Sequence, residues 1–413
     1  MTLPPAASLH QPARSFYSHW QQVNDWLVRH QELWQPAPFM EPEPAWCERY
    51  PELAHWLDTL TLDACEAFEE NLAAFAVEAA RFVPGLADYD ALVELPELSP
   101  PDSGARSALP ELQAVDMPGR KRLQAGAFAA AVLPLQQPVL DWCCGKGHLA
   151  RTLAARGAAR VQGFEWNDEL VQDGNRLARH YGDPVQLHHQ DVMADSLNWP
   201  SGVHGVALHA CGDLHRQLLK RGAAAGTPRL SFSPCCYHLT AQEQYQPLAQ
   251  GSRNHAPALR PGRNTLRLAV QETVTAPARV REQTARVAAW RLDFDALQRH
   301  LRAADSYLPV PSHPPSLNNG DFEGFCRWAA GKKQLDLADN LDWQHWLVRG
   351  EQRALQVQRH ELLRHLFRRP LELWMVLDYA VFLEEQGYRV RLGRFCAREL
   401  TPRNLLVDAV RVE

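Results

Sequence analysis

The chain has no apolar run long enough to cross a hydrocarbon slab about 30 Å thick. Its longest, around Ala125 to Leu135 and Leu371 to Leu383, are short or interrupted, so no membrane partner is expected. The opening MTLPPAASLHQPARSFYSHW lacks the basic start, apolar centre and small-residue cleavage site of a secretory leader, and the expected location is cytoplasmic. No internal repeat and no low-complexity tract is present, which excludes a solenoid. No CxxC pair occurs. The nine cysteines are an odd number and include two adjacent pairs, Cys143–Cys144 and Cys235–Cys236, suiting neither a disulfide scaffold nor a zinc ribbon. Free thiols and no metal are expected. Lysine is scarce, five of 43 basic residues, and the other 38 are arginine, whose planar fork suits phosphate and stacked bases. A GC-rich genome produces the same bias without any such function.

What is present is a chain of 413 residues, 46% hydrophobic, enough to bury substantial cores and to exclude disorder. The net charge of −5 conceals an asymmetry: residues 1–119 carry 19 acids against five arginines, a net of −14, leaving about +9 on the remainder. From Ser15 to about Arg81, apolar residues recur at three- and four-residue steps, as at Trp20, Val23, Trp26 and Leu27, which predicts helices. Leu60 to Phe82 repeats the pattern, with Glu66, Glu69, Glu70 and Glu78 on the expected solvated face, a dock for a protein partner. Residues 1–85 are therefore expected to form an acidic helical domain. The Pro, Ser and Gly of LPELSPPDSGARSALPEL mark 86–117 as a linker.

Short apolar strands then alternate with helices. VLDWCC (139–144), ARVQGFEW (159–166), VQLHHQD (185–191), GVALHAC (205–211) and RLSFSPC (229–235) read as five strands, joined by helices near His148 to Arg156, Glu169 to Tyr181 and Asp213 to Ala224. Alternation at these lengths predicts right-handed βαβ units and a parallel sheet covered on both faces. A last helix, Leu371 to Glu385, and two antiparallel strands in YRVRLGRFCARELTPRNLLVDAV bring the strands to seven, an α/β fold. The core is thus placed at 118–240 and its closing unit at 351–413. Residues 241–350 are too many for a structureless loop and are expected to form an inserted subdomain roofing the substrate side.

Asp141 ends the first strand, and Gly145 and Gly147 occupy the turn into the next helix, where the backbone can approach a ligand closely. Glu165 closes the second strand, where a carboxylate can accept hydrogen bonds from both ribose hydroxyls. Asp191 closes the third. Acids at three successive strand ends, with a glycine turn at the first, fit a nucleoside ligand lying across the carboxyl edge of the sheet. A dinucleotide fold would carry GxGxxG, whereas here the third position after Gly147 is Ala150 and the closing hairpin is foreign to most NAD domains. S-adenosylmethionine is the better fit.

The stretch VLDWCCGKGHLAR, with GFEWN, HACGDLH, SPCCYH and TPRNLLVDAVR, resembles the Rossmann-fold S-adenosylmethionine methyltransferases of the methyltransferase-like protein 25 group, methyltransferase domain family 32. It is similar, more distantly, to the tRNA ribose 2′-O-methyltransferases of the acceptor stem. The likeness covers roughly 118 to 240 and 370 to 413. It implies a seven-stranded Rossmann-like methyltransferase sheet, with Asp141, Gly145 and Gly147 lining the methionine and ribose of the cofactor, Glu165 holding the ribose and Asp191 the adenine. Cys143 departs from the pattern, standing where the first glycine of the turn would be.

The fourth and fifth strands end in His209-Ala210-Cys211-Gly212-Asp213 and Ser233-Pro234-Cys235-Cys236-Tyr237-His238, at the edge where ligands of such sheets collect. Methyl transfer needs an in-line approach and removal of a proton from the acceptor. His238 is the first candidate for that base, with His209 and Asp213 as others; Tyr237 could stack on a base or hydrogen-bond the acceptor. His209 also lies near the cofactor edge, as does Cys143. A histidine at a strand end is more often a satisfied structural imidazole. His209, Cys211, Cys235 and His238 would suit zinc if their strands adjoin, but adjacent cysteines rarely both reach one ion. Pro234-Cys235 resembles the nucleophile motif of RNA cytosine-C5 methyltransferases, although there it follows strand four.

RNA is the expected acceptor, from the basic balance after residue 119, the arginines at 253, 260, 263, 267, 279, 281, 286 and 291, and the resemblance to tRNA enzymes. The lead-in Arg120, Lys121 and Arg122 could contribute. A protein or small-molecule acceptor, or a binding module without catalysis, are the alternatives.

Overall fold

The computed structural model describes residues 15–412 except 101, 273–277, 305, 315 and 318–319, and not the side chains of 278, 280 and 281. Most of the opening stretch read for a leader, and the Arg281 side chain, therefore lie outside the described residues. The chain divides into two compact units. One takes the described residues up to Val28, Leu92–Glu272 and those from Arg369; the other takes Arg29–Ala91 and those from 273 to Arg368. Among the described residues no helix is long and apolar enough to cross a membrane.

The first unit is built on a seven-stranded sheet. Its strands are β1 (Val139–Trp142), β2 (Val161–Glu165), β3 (Val185–His189), β4 (His204–Cys211), β5 (Arg229–Cys235), β6 (Tyr388–Arg394) and β7 (Leu405–Arg411), in the order β3-β2-β1-β4-β5-β7-β6. The first five run parallel, and β7 lies antiparallel to both β5 and β6. Every residue of β1 and β5 is buried, as a sheet covered on both faces requires. The order changes direction between β1 and β4, so the carboxyl ends of β1, β2 and β4 border one crevice.

β7 is wedged into place by charge. Asp408, buried in its middle, takes two hydrogen bonds from the Arg229 guanidinium of β5, at 2.8 and 3.1 Å, and one from the Ser231 hydroxyl at 2.6 Å. The stretch expected as a linker is packed in its central part. Glu97 forms a parallel bridge with Arg394, with Leu98 N–H donating to the Arg394 carbonyl and Arg394 N–H to the Pro96 carbonyl, each at 2.8 Å. That segment pairs with the last residue of β6, whose edge would otherwise offer unpaired backbone groups there.

The boundaries thus fall elsewhere than composition places them. Residues 241–272 belong with the sheet, and 273–368 with residues 29–91, in one helical unit. Its helices Ala278–Arg302, Phe322–Lys333 and Trp343–His365 bury Trp290, Phe294, Leu297, Phe325 and Trp346. Glu69, expected on a solvated face, is instead engaged by His365 at 2.8 Å and by Arg368. Burial pushes its carboxyl up, but His365 and Arg368 outweigh that and hold it at about 2. Glu66 and Glu70 remain exposed.

Candidate active site

The turn after β1 is shaped by three residues in the left-handed region: Cys143 (φ 57°), Gly145 (φ 55°) and Gly147 (φ 70°). Glycine adopts this conformation freely, whereas Cys143 does so against the clash of its Cβ. A Cβ placed on Gly145 would meet nothing within 4 Å, so the turn leaves open space beside its backbone. The Cys143 thiol is held protonated, first by burial and then by the carboxylates of Glu165 and Asp141.

Asp141 is 2% exposed, and one carboxylate oxygen accepts the Ala150 N–H at 3.1 Å in the helix His148–Ala154. It therefore anchors the turn. Burial pushes its pKa up to about 8, despite that hydrogen bond, and Glu165 adds to the rise. Glu165, 8% exposed, accepts the Gly145 N–H on one oxygen and the Asn167 N–H on the other, both at 3.0 Å. Each oxygen keeps a further lone pair for a ribose hydroxyl. Asp191 is exposed and accepts the Met193 N–H at 2.8 Å. The expected set Asp141, Cys143, Gly145, Gly147, Glu165 is thus brought together around one turn, with Asp191 two strands from β1.

Trp166, a residue to which sequence pattern assigns no role, is 74% exposed immediately beyond Glu165. A large exposed aromatic face beside a nucleoside-type carboxylate is a platform for a flat ring. Its signal was the tryptophan of GFEWN, standing just past a strand whose own apolar residues are buried.

At the ends of β4 and β5 the candidates separate. Tyr237 is 1% exposed and donates its hydroxyl to Glu372 at 3.1 Å, so it cannot stack on an acceptor: it is a core residue. Asp213 accepts the Ala241 N–H at 2.8 Å, which ties the loop after β5 to the helix Asp213–Ala224. It thereby holds that junction. His209 adopts φ 65°, and its Nε2 lies 3.3 Å from the Gln124 side-chain oxygen; burial pushes its pKa down to about 4. His238 is different. It lines a cleft of about 800 Å³ with Leu239, Thr240, Glu243, Arg263 and Arg267. Its Nδ1 is buried with no partner among the described residues, and burial, then Arg267, lower its pKa, which leaves the imidazole neutral at pH 7.

Gly212, also missed, sits where these loops meet. It has φ 55°, and a Cβ there would lie 1.9 Å from the Leu239 carbonyl oxygen. The thiols also differ from expectation. The sulfurs of Cys211, Cys235 and Cys236 lie within 4.8 Å of one another, while neither histidine joins them. Adjacent cysteines converge here because Cys236 takes φ 49°. Cys235 itself is buried, with its sulfur among those of Cys211 and Cys236.

The arginine cluster is divided. Arg263 and Arg267 are exposed on the His238 cleft. Arg253 donates to the Pro247 carbonyl, Arg286 lies over Trp290, and Arg291 donates to the Val310 and Pro311 carbonyls, all structural uses.

Five parallel strands closed by an antiparallel β7, with a glycine turn after β1 and carboxylates after β2 and β3, define a Rossmann-like methyltransferase fold. The family model of a methyltransferase domain matches residues 131–243, about a quarter of the chain, spanning β1 to the loop after β5. No curated protein matches. Among solved structures, the tRNA (uracil-54, C5)-methyltransferase of Pyrococcus abyssi, in complex with S-adenosyl-L-homocysteine, is 21% identical over 28% of this chain and 29% of its own, with a TM-score of 0.23. The ribosomal protein L11 methylase of Lactobacillus delbrueckii subsp. bulgaricus is 19% identical over 30% and 62%, at 0.23. A geranyl diphosphate methyltransferase, in complex with geranyl diphosphate and sinefungin, is 18% identical over 27% and 44%, at 0.24. This chain spans less than two thirds of each, and their acceptors differ in kind.

Proposed function

We propose that the chain is an S-adenosylmethionine-dependent methyltransferase that acts on RNA, of the tRNA or rRNA kind, in the cytoplasm. The cradle suits the cofactor. The Gly145 backbone is open, the Glu165 carboxylate is held in place by two N–H groups, and Trp166 offers a ring face. Glu165 would take the ribose hydroxyls, Asp191 the adenine amine, and Trp166 the adenine plane. Bound S-adenosylmethionine supplies a methyl group made electrophilic by its sulfonium sulfur. The chain's part is to orient the acceptor and to take its proton, and the neutral imidazole of His238 is the base.

The observation that carries the choice of RNA is the His238 cleft, where a neutral base lies with two exposed guanidinium groups, Arg263 and Arg267. Such groups hold phosphate without reading sequence and leave the base free to face a nucleotide. This agrees with the resemblance to the methyltransferase-like protein 25 group and to tRNA ribose 2′-O-methyltransferases.

The test is transfer of labelled methyl from S-adenosylmethionine into total RNA, total protein and small metabolites, assayed separately. Label in RNA, falling about 100-fold or more in kcat for His238→Ala, supports the reading. Label in protein or metabolites alone moves the acceptor. Absence of both transfer and S-adenosylhomocysteine binding overturns the proposal.

A further inference from the structure

We infer that Cys211, Cys235 and Cys236 form a three-thiolate site for a zinc-class divalent cation, with its fourth position open to water or an acceptor oxygen. The three sulfurs lie within 4.8 Å of one another, and Cys211 and Cys235 are 3.6 Å apart. Tetrahedral zinc with Zn–S bonds of about 2.3 Å requires neighbouring sulfurs about 3.8 Å apart. One edge of that tetrahedron is therefore already at its length, and the other two close with rotations of side chains. No fourth His, Cys, Asp or Glu atom joins the group among the described residues. Three protein ligands with one free position is the pattern of zinc sites that bind something further.

The backbone builds the cluster. The ladder between β4 and β5 is interrupted after Leu208 and resumes with Cys211 opposite Cys235, so two thiols face each other across neighbouring strands. His209, inside that irregularity, has φ 65°, and Cys236, one residue past β5, has φ 49°. Two non-glycine residues in the left-handed region thus flank the group, and the second brings the third sulfur back towards the first two. Strain of this kind persists where a site depends on it.

Two ordinary accounts of the thiols fit less well. Apolar packing covers Cys235, which is buried, but not Cys211 and Cys236, which are half-buried. A disulfide leaves one sulfur of the three over, and all three are free. Coordination uses all three. Each thiol releases its proton to solvent as its sulfur bonds the cation, so three thiolates and a divalent ion leave one net negative charge. The cluster stands whether or not the neighbouring cleft transfers methyl groups, because its evidence is the thiol geometry alone.

The experiment measures metal by mass spectrometry in the full chain, expressed with zinc under reducing conditions and then desalted. The expected result is about one zinc per chain, falling at least fivefold in Cys211→Ser and in Cys236→Ser but retained in Cys326→Ser and Cys396→Ser. Cobalt substitution of the unaltered protein provides a readout that needs no variant, and should give thiolate-to-cobalt charge-transfer absorption. Three thiols should become reactive only on chelation. Folded protein without zinc and without the cobalt band, zinc unchanged in both serine variants, or a Cys211–Cys235 disulfide by intact mass would each overturn the assignment.

Discussion

Glu165→Gln is the sharpest perturbation of the cofactor cradle, because it preserves volume and changes only charge and hydrogen-bonding sense. The two carboxylate oxygens each accept one backbone N–H, from Gly145 and from Asn167, both at 3.0 Å. Glutamine has one oxygen and one NH₂, so one of those N–H groups must face another donor. In the bound state the ribose hydroxyl that meets the amide NH₂ loses an acceptor worth about 1–3 kcal/mol, and the other exchanges a charge-assisted bond for a neutral one at about 1 kcal/mol more. The sum of about 2–4 kcal/mol, at about 1.4 kcal/mol per tenfold, predicts S-adenosylhomocysteine binding weaker by roughly 30- to 700-fold. Isothermal calorimetry measures this, with far-ultraviolet circular dichroism confirming a folded variant. Should a folded Glu165→Gln protein bind within threefold of the parent, the carboxylate does not organise the site and the reasoning is wrong.

Gly212→Ala places a Cβ 1.9 Å from the Leu239 carbonyl at φ 55°, and should cost about 2–4 kcal/mol in denaturant unfolding; an unchanged midpoint would remove the junction from the argument. Asp408→Asn breaks the pairing with Arg229 and should lose about 3–5 kcal/mol at pH 7. Burial raises the Asp408 pKa, but Arg229, Ser231 and Arg391 bring it below its ordinary 3.8. Its contribution is therefore full above pH 4 and lost as pH falls through the lowered value, so the variant's deficit should shrink in strong acid. Arg267→Ala, on the exposed wall of the His238 cleft, should weaken RNA binding and reduce the slope of log K against log salt by about 0.7–0.9. An identical slope would mean that this arginine meets no phosphate.

The fold and the turn after β1 could be read from the sequence because both arise from local pattern. Apolar strands such as RLSFSPC need burial on two faces, and Asp141, Gly145 and Gly147 fall where one strand must turn into one helix. What could not be read depends on contacts between distant segments. Tyr237 and His238 are neighbours in the chain. One is a core residue only because Glu372, 135 positions away, accepts its hydroxyl. The other stays in the cleft because residues 263 and 267 return to its side. The same holds for the thiols. Adjacent cysteines on an extended strand point to opposite faces, and only a left-handed Cys236 reverses the second of them. Nothing in SPCCYH announces that conformation, since the strain is supported by the β4–β5 ladder and by the loop in which the Leu239 N–H donates to the Cys236 carbonyl at 2.8 Å. The backbone at this edge is therefore least favourable locally where the thiols converge, and local propensity alone does not show which of two neighbouring residues faces the cleft.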